Sequence, residues 1–330
     1  MCYYPDEYEI YEIHSNVSTN SSRYMYETDG FLKHYLWFLC GIGLPGNLLT
    51  ILVVLSHKPY RPATLLLGCL AIFDSAALIT KLIESQILYN KFRLGWLGCK
   101  LIYIPSTVTA SIANWTLALI CAERCIAVCY PLKRLYLMTT RRSKCLLAVM
   151  SAVLGTYVSV LYALFMVDSN GEIVCVFQNI GIYTFLLVQY ASHIIAPFIL
   201  ISCFTVLVIR QLHVMRNNRQ ELRRKRSINE SPILRQESQE NKMSLLMIGA
   251  SLLYFIVNAP SCLFYTVIWP ATCIPRHVWF YVKDLLYVIN DSSHALNFFV
   301  YFALVKGFRS DLYKVISNVV KQRRRKLDDL

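Results

Sequence analysis

Long runs of apolar residues recur seven times along the chain, separated by shorter polar segments. A helix needs about 20 apolar residues to cross the hydrocarbon core of a membrane, and each run is long enough. Hydrophobic residues make up 56% of the chain and charged residues only 16%, which leaves too little polar sequence to surround seven buried helices in water. We therefore predict an all-α membrane protein, a bundle of seven transmembrane helices. The predicted spans cover about residues 31–56, 63–89, 101–128, 145–167, 181–209, 243–269 and 279–304.

The basic residues lie mainly on one side of these spans. The segments that follow spans one, three, five and seven hold 2, 5, 9 and 8 Lys and Arg residues, which is 24 of the 33 in the chain. Because basic loops remain in the cytoplasm, we predict an extracellular tail at 1–30, a transmembrane domain at 31–304 and a cytoplasmic end at 305–330 of a multi-pass membrane protein. The basic clusters abut the membrane, so lipids rather than nucleic acids are their expected partners.

The cytoplasmic end carries an amphipathic pattern. Phe308, Leu312 and Ile316 recur every four residues, and basic residues occupy the other face. This spacing predicts a short eighth helix that lies along the membrane interface.

The predicted extracellular tail contains candidate modification sites. Asn16 and Asn20 begin Asn-x-Ser triplets and are expected to be glycosylated. Several tyrosines stand beside acids between residues 3 and 12, a pattern that resembles tyrosine-sulfation sites and would attract a basic ligand. A solvated, disordered tail explains the same composition equally well, so both interpretations stay open.

Four of the twelve cysteines fall in predicted extracellular segments, where oxidising conditions favour disulfides. A bond between Cys99 and Cys175 would join the outer end of span three to the loop before span five. Whether Cys2 pairs with Cys273 is left open. Most of the other cysteines lie in or next to spans, where cysteine serves as a small apolar side chain.

Ionisable residues inside the spans are the main functional candidates, because a charge in hydrocarbon is costly without a partner or a water-filled site. Arg124 lies twenty-five residues after Cys99, and a helix of that length covers about 37 Å, so the two residues lie at opposite membrane faces. In span two, Asp74, Lys81 and Glu84 follow one another outward along one helix face. Lys81 and Glu84 either neutralise one another or line an extracellular pocket.

The seven spans, their orientation and a series of short motifs are similar to those of rhodopsin-like (class A) G-protein-coupled receptors. The matching positions are Gly46-Asn47, Leu70-Ala71 with Asp74, Glu123-Arg124-Cys125 with Pro131, Pro197, Pro260, Asn297-Phe298 with Tyr301, and Phe308. The departures from the family pattern are Cys125, Thr205, Asn258 and Phe298, in place of Tyr, Tyr, Trp and Pro. The Glu-Arg-Cys and Asn-Phe-x-x-Tyr sequences most resemble invertebrate neuropeptide receptors of the FMRFamide-like kind.

This resemblance implies a receptor that binds an extracellular ligand and activates a heterotrimeric G-protein, with arrestin and receptor kinases as further partners. In the inactive state of such receptors, the Arg that corresponds to Arg124 pairs with an acid at the foot of span six, here Glu240. Pro260 is expected to form a hinge, so that ligand binding moves span six outward and opens a cytoplasmic cleft. The residues implied in this switch are Glu123, Arg124, Glu240, Pro260, Asn297 and Tyr301.

The ligand site is expected between the outer parts of the spans. Its candidate residues are Lys81, Glu84, Tyr103, Ser106, Thr107, Gln189, His193, Tyr265, Asp284, Tyr287 and Asp291. Their mixed charge and the acidic tail favour a peptide ligand, in particular a neuropeptide. A chemosensory or orphan receptor for a small molecule is the alternative. His193 is compatible with simple packing as well as with ligand contact.

Two positions argue against other ligands known in the resembling family. Ser106 stands where aminergic receptors carry the Asp that binds the amine. Asp291 stands where opsins carry the Lys that binds retinal, so a Schiff base is impossible here. We therefore expect neither monoamine binding nor light sensing.

By resemblance, Asp74 is the centre of an allosteric sodium site, with Ser293 and Asn297 as further ligands. Ala113 stands where the family often has a Ser, which depletes that site. The alternative is an Asp74 carboxyl group hydrogen-bonded to Asn297 and Asn47. No other cofactor is expected. Metal-ligand spacing, a phosphate-binding loop and a nucleophile with a placed base are all missing from the sequence, so an enzyme is not indicated.

Overall fold

The computed structural model describes residues 21–56, 61–90, 96–167, 176–177, 182–225, 232–269, 272 and 274–328. Five residues named above lie outside this part of the chain: Cys2, Asn16, Asn20, Cys175 and Cys273. Glu240 lies within a described helix, but its side chain is outside the description. The predictions that concern these residues stay predictions.

The described residues form ten α-helices. They are α1 (Ser21–Leu55), α2 (Pro62–Tyr89), α3 (Trp96–Cys129), α4 (Pro131–Leu137), α5 (Thr140–Phe165), α6 (Ile182–Tyr190), α7 (Ala196–Lys225), α8 (Pro232–Leu263), α9 (Arg276–Leu304) and α10 (Lys306–Asp328). A π-helical turn at Ala191–Ile195 joins α6 to α7, and another at Phe264–Ile268 extends α8. Two short strands, β1 (Met166–Val167) and β2 (Val176–Phe177), pair antiparallel with Met166 opposite Phe177.

Seven long helices build the bundle and are called spans one to seven: α1, α2, α3, α5, α6 with α7, α8, and α9. Six of them are long and apolar enough to cross a membrane, as far as the described residues show. Span seven is less apolar, because the five residues from Asn290 to His294 are all polar. The predicted all-α bundle is confirmed.

The outside of the bundle is apolar, and polar side chains are gathered inside it. Trp37, Phe38 and Ile256 are 54%, 68% and 68% exposed. Asn47 and Arg124, by contrast, are each 1% exposed. This arrangement suits hydrocarbon, where apolar side chains face lipid and polar groups must be satisfied internally. The chain is therefore a multi-pass membrane protein.

Several helices continue past the predicted spans. Span four begins at Thr140 and span six at Pro232, which is several residues before the apolar run in each case. Hydropathy marks only the part of a helix that lies in hydrocarbon, whereas the polar turns that continue it carry no such signal. At the other end of span four, the predicted last residues, Met166 and Val167, form β1 instead.

The amphipathic eighth helix is present as α10, and it is longer than predicted. Phe308 and Leu312 are 5% and 4% exposed and belong to the same core cluster as Tyr301. Ile316, predicted on the same face, is 43% exposed because it lies one turn beyond the last residue that reaches the core. Polar and basic residues continue the helix to Asp328.

Gly46 makes room for the unusual Phe298 of span seven. A Cβ atom at Gly46 would lie 2.9 Å from the Cβ of Phe298, so only glycine permits this approach of spans one and seven. The Phe298 ring packs against Phe302 and Phe308, with both centroid distances at 6.0 Å. Because Phe keeps the backbone N–H that Pro lacks, span seven runs to Leu304 as one helix.

Candidate functional site

A cavity of about 420 Å³ opens between the predicted outer halves of the spans. Ligand sites in proteins commonly measure about 300–1,000 Å³, so this cavity is large enough to hold one. Ten of the eleven predicted ligand-binding residues line it: Lys81, Glu84, Tyr103, Ser106, Thr107, Gln189, His193, Asp284, Tyr287 and Asp291. The fold thus brings together side chains of spans two, three, five and seven that are far apart in sequence.

Tyr265 is the predicted residue that does not line the cavity. It is 4% exposed, and its ring stacks on that of Tyr190 with 3.8 Å between centroids. Tyr190 lines the cavity in its place. Tyr265 belongs to the π-helical turn that begins at Phe264, and a π-turn holds more residues than an α-turn. Side chains there point in directions that ordinary helical spacing does not predict.

Lys81 forms an ion pair with Asp291 and so connects spans two and seven across the cavity wall. Their side chains are 19% and 5% exposed. The hydroxyl of Tyr35 donates a 2.8 Å hydrogen bond to the second carboxylate oxygen of Asp291. The partner of Lys81 is therefore this Asp and not Glu84, its neighbour one turn along span two.

Glu84 instead accepts a hydrogen bond from the hydroxyl of Ser106 on span three. Ser106 is 4% exposed and stands at the position where aminergic receptors carry an Asp. Although position 106 has no acid, this part of the cavity still contains a carboxylate, because Glu84 of span two supplies one. That weakens the sequence-based reason for excluding amines.

His193 lines the cavity and is also held by span three. Its Nδ1 lies 2.6 Å from the hydroxyl oxygen of Ser111. His193 sits in the π-helical turn of span five, where the helical hydrogen-bond pattern is interrupted. Asn114 and Trp115 donate to the backbone carbonyls of His193 and Ser192, at 3.2 and 3.1 Å. His193 is thus packed against span three, as one interpretation had it, and also faces the cavity, as the ligand-contact interpretation had it.

A second charged pair lies in a more exposed part of the cavity wall. Lys283 Nζ is 3.5 Å from Asp284 Oδ1, and their side chains are 22% and 32% exposed. The same ammonium group lies 5.4 and 5.8 Å from the ring centroids of Trp279 and Tyr287. At these distances the aromatic faces attract the cation, which holds it near Asp284.

Asp74 is 2% exposed and lies at the centre of the bundle. Its Oδ1 is 2.8 Å from Nδ1 of His294, and its Oδ2 accepts a 2.9 Å hydrogen bond from Nδ2 of Asn297. Asn47 donates to the backbone oxygen of His294, at 3.2 Å, rather than to Asp74. Ser293 donates to a carbonyl of its own helix.

This arrangement does not fit a resident sodium ion. A hard cation binds oxygen ligands, whereas the groups that face Asp74 are the ring nitrogen of His294 and the amide nitrogen of Asn297. The cavity beside Asp74 measures about 10 Å³, which is about the room for one water molecule. The geometry supports the hydrogen-bonded alternative, with His294 in the place expected for Asn47.

Span six is tied to its neighbours on both sides of Pro260. One residue after the proline, the hydroxyl of Ser261 donates to Asn290 of span seven at 3.1 Å. Closer to the predicted cytoplasmic end, Ser251 Oγ lies 3.3 Å from Cys121 Sγ of span three. Pro260 lies between these two links inside the continuous helix and has no N–H to donate there; its action as a hinge stays a prediction.

The predicted cytoplasmic end of the bundle contains a buried ion pair. Arg124 is 1% exposed and donates to both carboxylate oxygens of Glu123, with 2.7 Å between Nη2 and Oε1. Arg134 of α4 also approaches, with its Nε 3.6 Å from the same Oε1. The Glu123 carboxylate thus faces two guanidinium groups. The side chain of Glu240 is outside the description, so its pairing with Arg124 stays a prediction.

Cys99 is disulfide-bonded at the outer end of span three. Eight other cysteines are free: Cys40, Cys69, Cys121, Cys125, Cys129, Cys145, Cys203 and Cys262. The sequence contains twelve cysteines, so the candidates for the partner of Cys99 are the three in the predicted extracellular segments. Its pairing with Cys175 stays the prediction.

Three residues that contact the predicted ones were not singled out from the sequence: Tyr35, Arg134 and His294. His294 carried a signal, because it follows Asp291 by three residues and continues the same helix face. Arg134 follows Pro131 by three residues. A helix that starts at this proline places Arg134 one turn along, on the side that faces span three. Nothing in the surrounding sequence distinguishes Tyr35 from other apolar-run tyrosines.

Comparison with known proteins adds independent information. The family model described as 7 transmembrane receptor (rhodopsin family) matches residues 46–301. A thyrotropin-releasing hormone receptor of Gallus gallus is 31% identical over 109 residues, which is 32% of this chain and 28% of that protein. Rhodopsins of Neoniphon argenteus and Sargocentron punctatissimum are 37% and 36% identical over 104 residues, which is 31% of this chain and 30% of each rhodopsin. The aligned segments span less than a third of these relatives.

Proposed function

The chain belongs to the rhodopsin family of seven-transmembrane receptors, and we propose that it is a plasma-membrane receptor with its N-terminus outside the cell. Members of this family are receptors and not enzymes. In our proposal, an extracellular ligand binds in the outer cavity, and the cytoplasmic end then activates a heterotrimeric G-protein.

One observation carries this proposal: the same bundle has a ligand-sized cavity at one end and a closed, charged cluster at the other. The cavity measures about 420 Å³, and the Arg124 guanidinium at the opposite end is almost fully buried against Glu123. A transmembrane switch requires two separate sites joined by elements that have two arrangements. Spans three, six and seven all line the cavity, and their residues Cys125, Met247 and Tyr301 belong to one core cluster, so these spans are the elements in question.

Span six is the moving element in our proposal. A ligand that pulls on the outer end of this helix would bend it at Pro260 and swing its cytoplasmic half away from span three. The closed cluster around Arg124 would then open into a cleft for the G-protein. A ligand shifts this equilibrium only if it binds the open state more tightly than the closed one.

We further propose a neuropeptide ligand of the amidated, FMRFamide-like kind. The support is the mixture of acidic and basic groups in the cavity wall, which suits a peptide better than a wholly apolar molecule. One relative is named a hormone receptor, which favours a diffusible ligand. The alternative is a chemosensory or orphan receptor for a small molecule, and the cavity volume is compatible with that as well.

Nucleotide exchange on added G-proteins tests the proposal. Membranes from cells that express the receptor would be incubated with one G-protein class at a time and with two panels, amidated neuropeptides and small organic molecules. We expect at least one peptide to accelerate exchange on wild-type receptor and not on Arg124→Ala. A response to the small molecules alone would contradict the peptide part. Exchange that never differs from that of receptor-free membranes, with any G-protein class or panel, would contradict the receptor function itself.

A further inference from the structure

The charges of the described residues in the outer cavity wall do not cancel. These residues include two lysines and three acids: Lys81, Lys283, Glu84, Asp284 and Asp291. The lysines are each engaged by an acid, through the Lys81–Asp291 and Lys283–Asp284 pairs. One carboxylate, that of Glu84, is left over.

The histidines among the described wall residues, His193 and His294, do not neutralise this carboxylate. His193 Nδ1 bonds to Ser111, and His294 Nδ1 bonds to Asp74, below the cavity. Among the described residues, the only hydrogen-bond partner of Glu84 is the neutral hydroxyl of Ser106. A hydroxyl satisfies one lone pair of a carboxylate and leaves its charge unbalanced.

Asp291 cannot play the same part. Its two oxygens are taken by Lys81 and Tyr35, and its side chain is only 5% exposed. A ligand cation at Asp291 would have to displace an existing ion pair. At Glu84 it would meet a carboxylate that lines the cavity and has no ion-pair partner within the described part of the chain.

Aromatic rings lie directly outward of this carboxylate. Tyr103 precedes Ser106 by three residues and so lies one turn further out on the same face of span three. Its ring stacks on Tyr162, with centroids 6.1 Å apart and planes at 24°. Tyr162 is fixed in turn by Thr107, whose hydroxyl lies 2.9 Å from the tyrosine hydroxyl. Aromatic faces attract cations, so this pair favours the approach of a positive group.

We propose that Glu84 is the anchor for a cationic group of the ligand, a guanidinium or an ammonium, which enters past Tyr103 and Tyr162. This inference rests on the proposed function, since it names the chemistry of the ligand for the same cavity. The cation comes either from a basic side chain of a peptide or from a free amine, and the first agrees with the peptide ligand proposed above. A ligand that offers only a carboxylate to this part of the cavity is excluded by like-charge repulsion.

Two matched probes test the anchor on the purified full-length receptor. N-acetyl-arginine amide carries a guanidinium, and N-acetyl-citrulline amide is its neutral counterpart of the same shape. Their dissociation constants would be measured by ligand-observed NMR titration. We expect the cation to bind wild-type receptor about tenfold more tightly, since a charge-assisted pair is about twice as strong as a neutral hydrogen bond. Equal affinity for the two probes would overturn the proposal.

Variants locate the effect. Glu84→Gln keeps the size of the side chain and is expected to bind both probes equally. Asp311→Asn, which removes an acid of α10 that lies outside the cavity and pairs with Lys314, is expected to keep the preference. The double variant Glu84→Gln with Ser106→Asp moves the carboxylate from span two to the neighbouring position on span three. We expect this variant to have the melting temperature of wild type and to regain the preference for the cationic probe. A preference that survives in folded Glu84→Gln would place the cation elsewhere and overturn the proposal.

A third probe, phenethylamine, separates the two sources of the cation. Weaker binding of phenethylamine than of N-acetyl-arginine amide supports a peptide side chain. Tighter binding that depends on Glu84 supports the anchor but overturns the peptide source. Failure of the anchor can be distinguished from failure of the receptor function. If wild-type receptor accelerates nucleotide exchange but shows no preference for the cationic probe, only the anchor is contradicted.

Discussion

Asp74 shows how the bundle accommodates a carboxyl group that has no access to lipid or bulk water. Both of its oxygens are engaged by side chains of span seven, those of His294 and Asn297. Asn47 of span one fixes the backbone of His294 in turn. Spans one, two and seven are thus joined by side-chain hydrogen bonds at the depth where a missing partner is most costly.

We expect His294→Ala to destabilise the receptor by about 1–3 kcal/mol, because one oxygen of a buried carboxyl group loses its partner. A thiol-reactive dye would report the melting temperature of purified receptor, since the buried free thiols of Cys40 and Cys121 become reactive on unfolding. The control is His213→Ala, which changes an exposed His of span five and should leave the melting temperature unchanged.

The same measurement distinguishes hydrogen bonding from sodium binding at Asp74. Replacing sodium chloride by N-methylglucamine chloride should leave the melting temperature of wild-type receptor unchanged. A rise in melting temperature with sodium at constant ionic strength, together with no effect of His294→Ala, would contradict the hydrogen-bonded arrangement and restore the ion.

The sequence predicted which residues belong to the candidate site better than it predicted which side chains they contact. Asp74, Lys81, Glu84 and Asp291 stood out because ionisable groups are costly in hydrocarbon. Their pairing depends on how spans one, two, three and seven are rotated about their own axes, which helical periodicity within one span does not determine. The Lys81–Asp291 contact joins residues 210 positions apart, and only the packed bundle defines it.

At the scale of helices, close approach and local distortion set the shape of the cavity. Gly43 of span one lies against Leu78 and Ala295, with a hypothetical Cβ only 2.7 and 2.8 Å from their side chains and 2.9 Å from the Ala295 Cα. Hydropathy predicted these helices but not such contacts. It likewise gave no sign of the π-helical turns in spans five and six, because the same apolar residues suit either helix type.

We expect Gly43→Ala to destabilise the receptor, and Gly41→Ala, two residues away, to leave it unchanged or slightly stabilised. A Cβ at position 43 meets backbone and cannot be accommodated without moving spans one and seven apart, at a cost of about 1–3 kcal/mol. A Cβ at position 41 has no atom within 4 Å and improves helix propensity by up to about 1 kcal/mol. Melting temperatures of the two variants give the comparison. Equal values would contradict the close packing of span one.

At the scale of the whole molecule, the bundle buries Arg124 at one end and has a ligand-sized cavity at the other, which in our proposal is the closed state of a switch. Its fold class followed from the sequence, because seven apolar runs and a basic cytoplasmic side leave few alternatives. The closed end did not follow as completely: Glu123 was expected beside Arg124, but Arg134 was not expected to approach the same carboxylate. A carboxylate that faces two arginines links α4 to span three, and the Arg124 guanidinium beside it is buried.

The most direct test of this switch is basal nucleotide exchange by Glu123→Gln in membranes with added G-protein and no ligand. The amide keeps the shape of the side chain but removes the charge that holds Arg124. A hydrogen bond to a charged group contributes about 1.5–3 kcal/mol, so we expect basal exchange to rise about tenfold above wild type. Arg141→Ala, an exposed cytoplasmic Arg, is the control and should equal wild type.

The double variant Glu123→Gln with Arg124→Ala separates release of Arg124 from general loosening of the cytoplasmic end. We expect this variant to return to the exchange rate of receptor-free membranes, because Arg124 is the group that the switch exposes. If Glu123→Gln reaches the membrane in normal amounts but exchanges no faster than wild type with every G-protein class, or if its gain survives in the double variant, the proposed switch at Arg124 is contradicted.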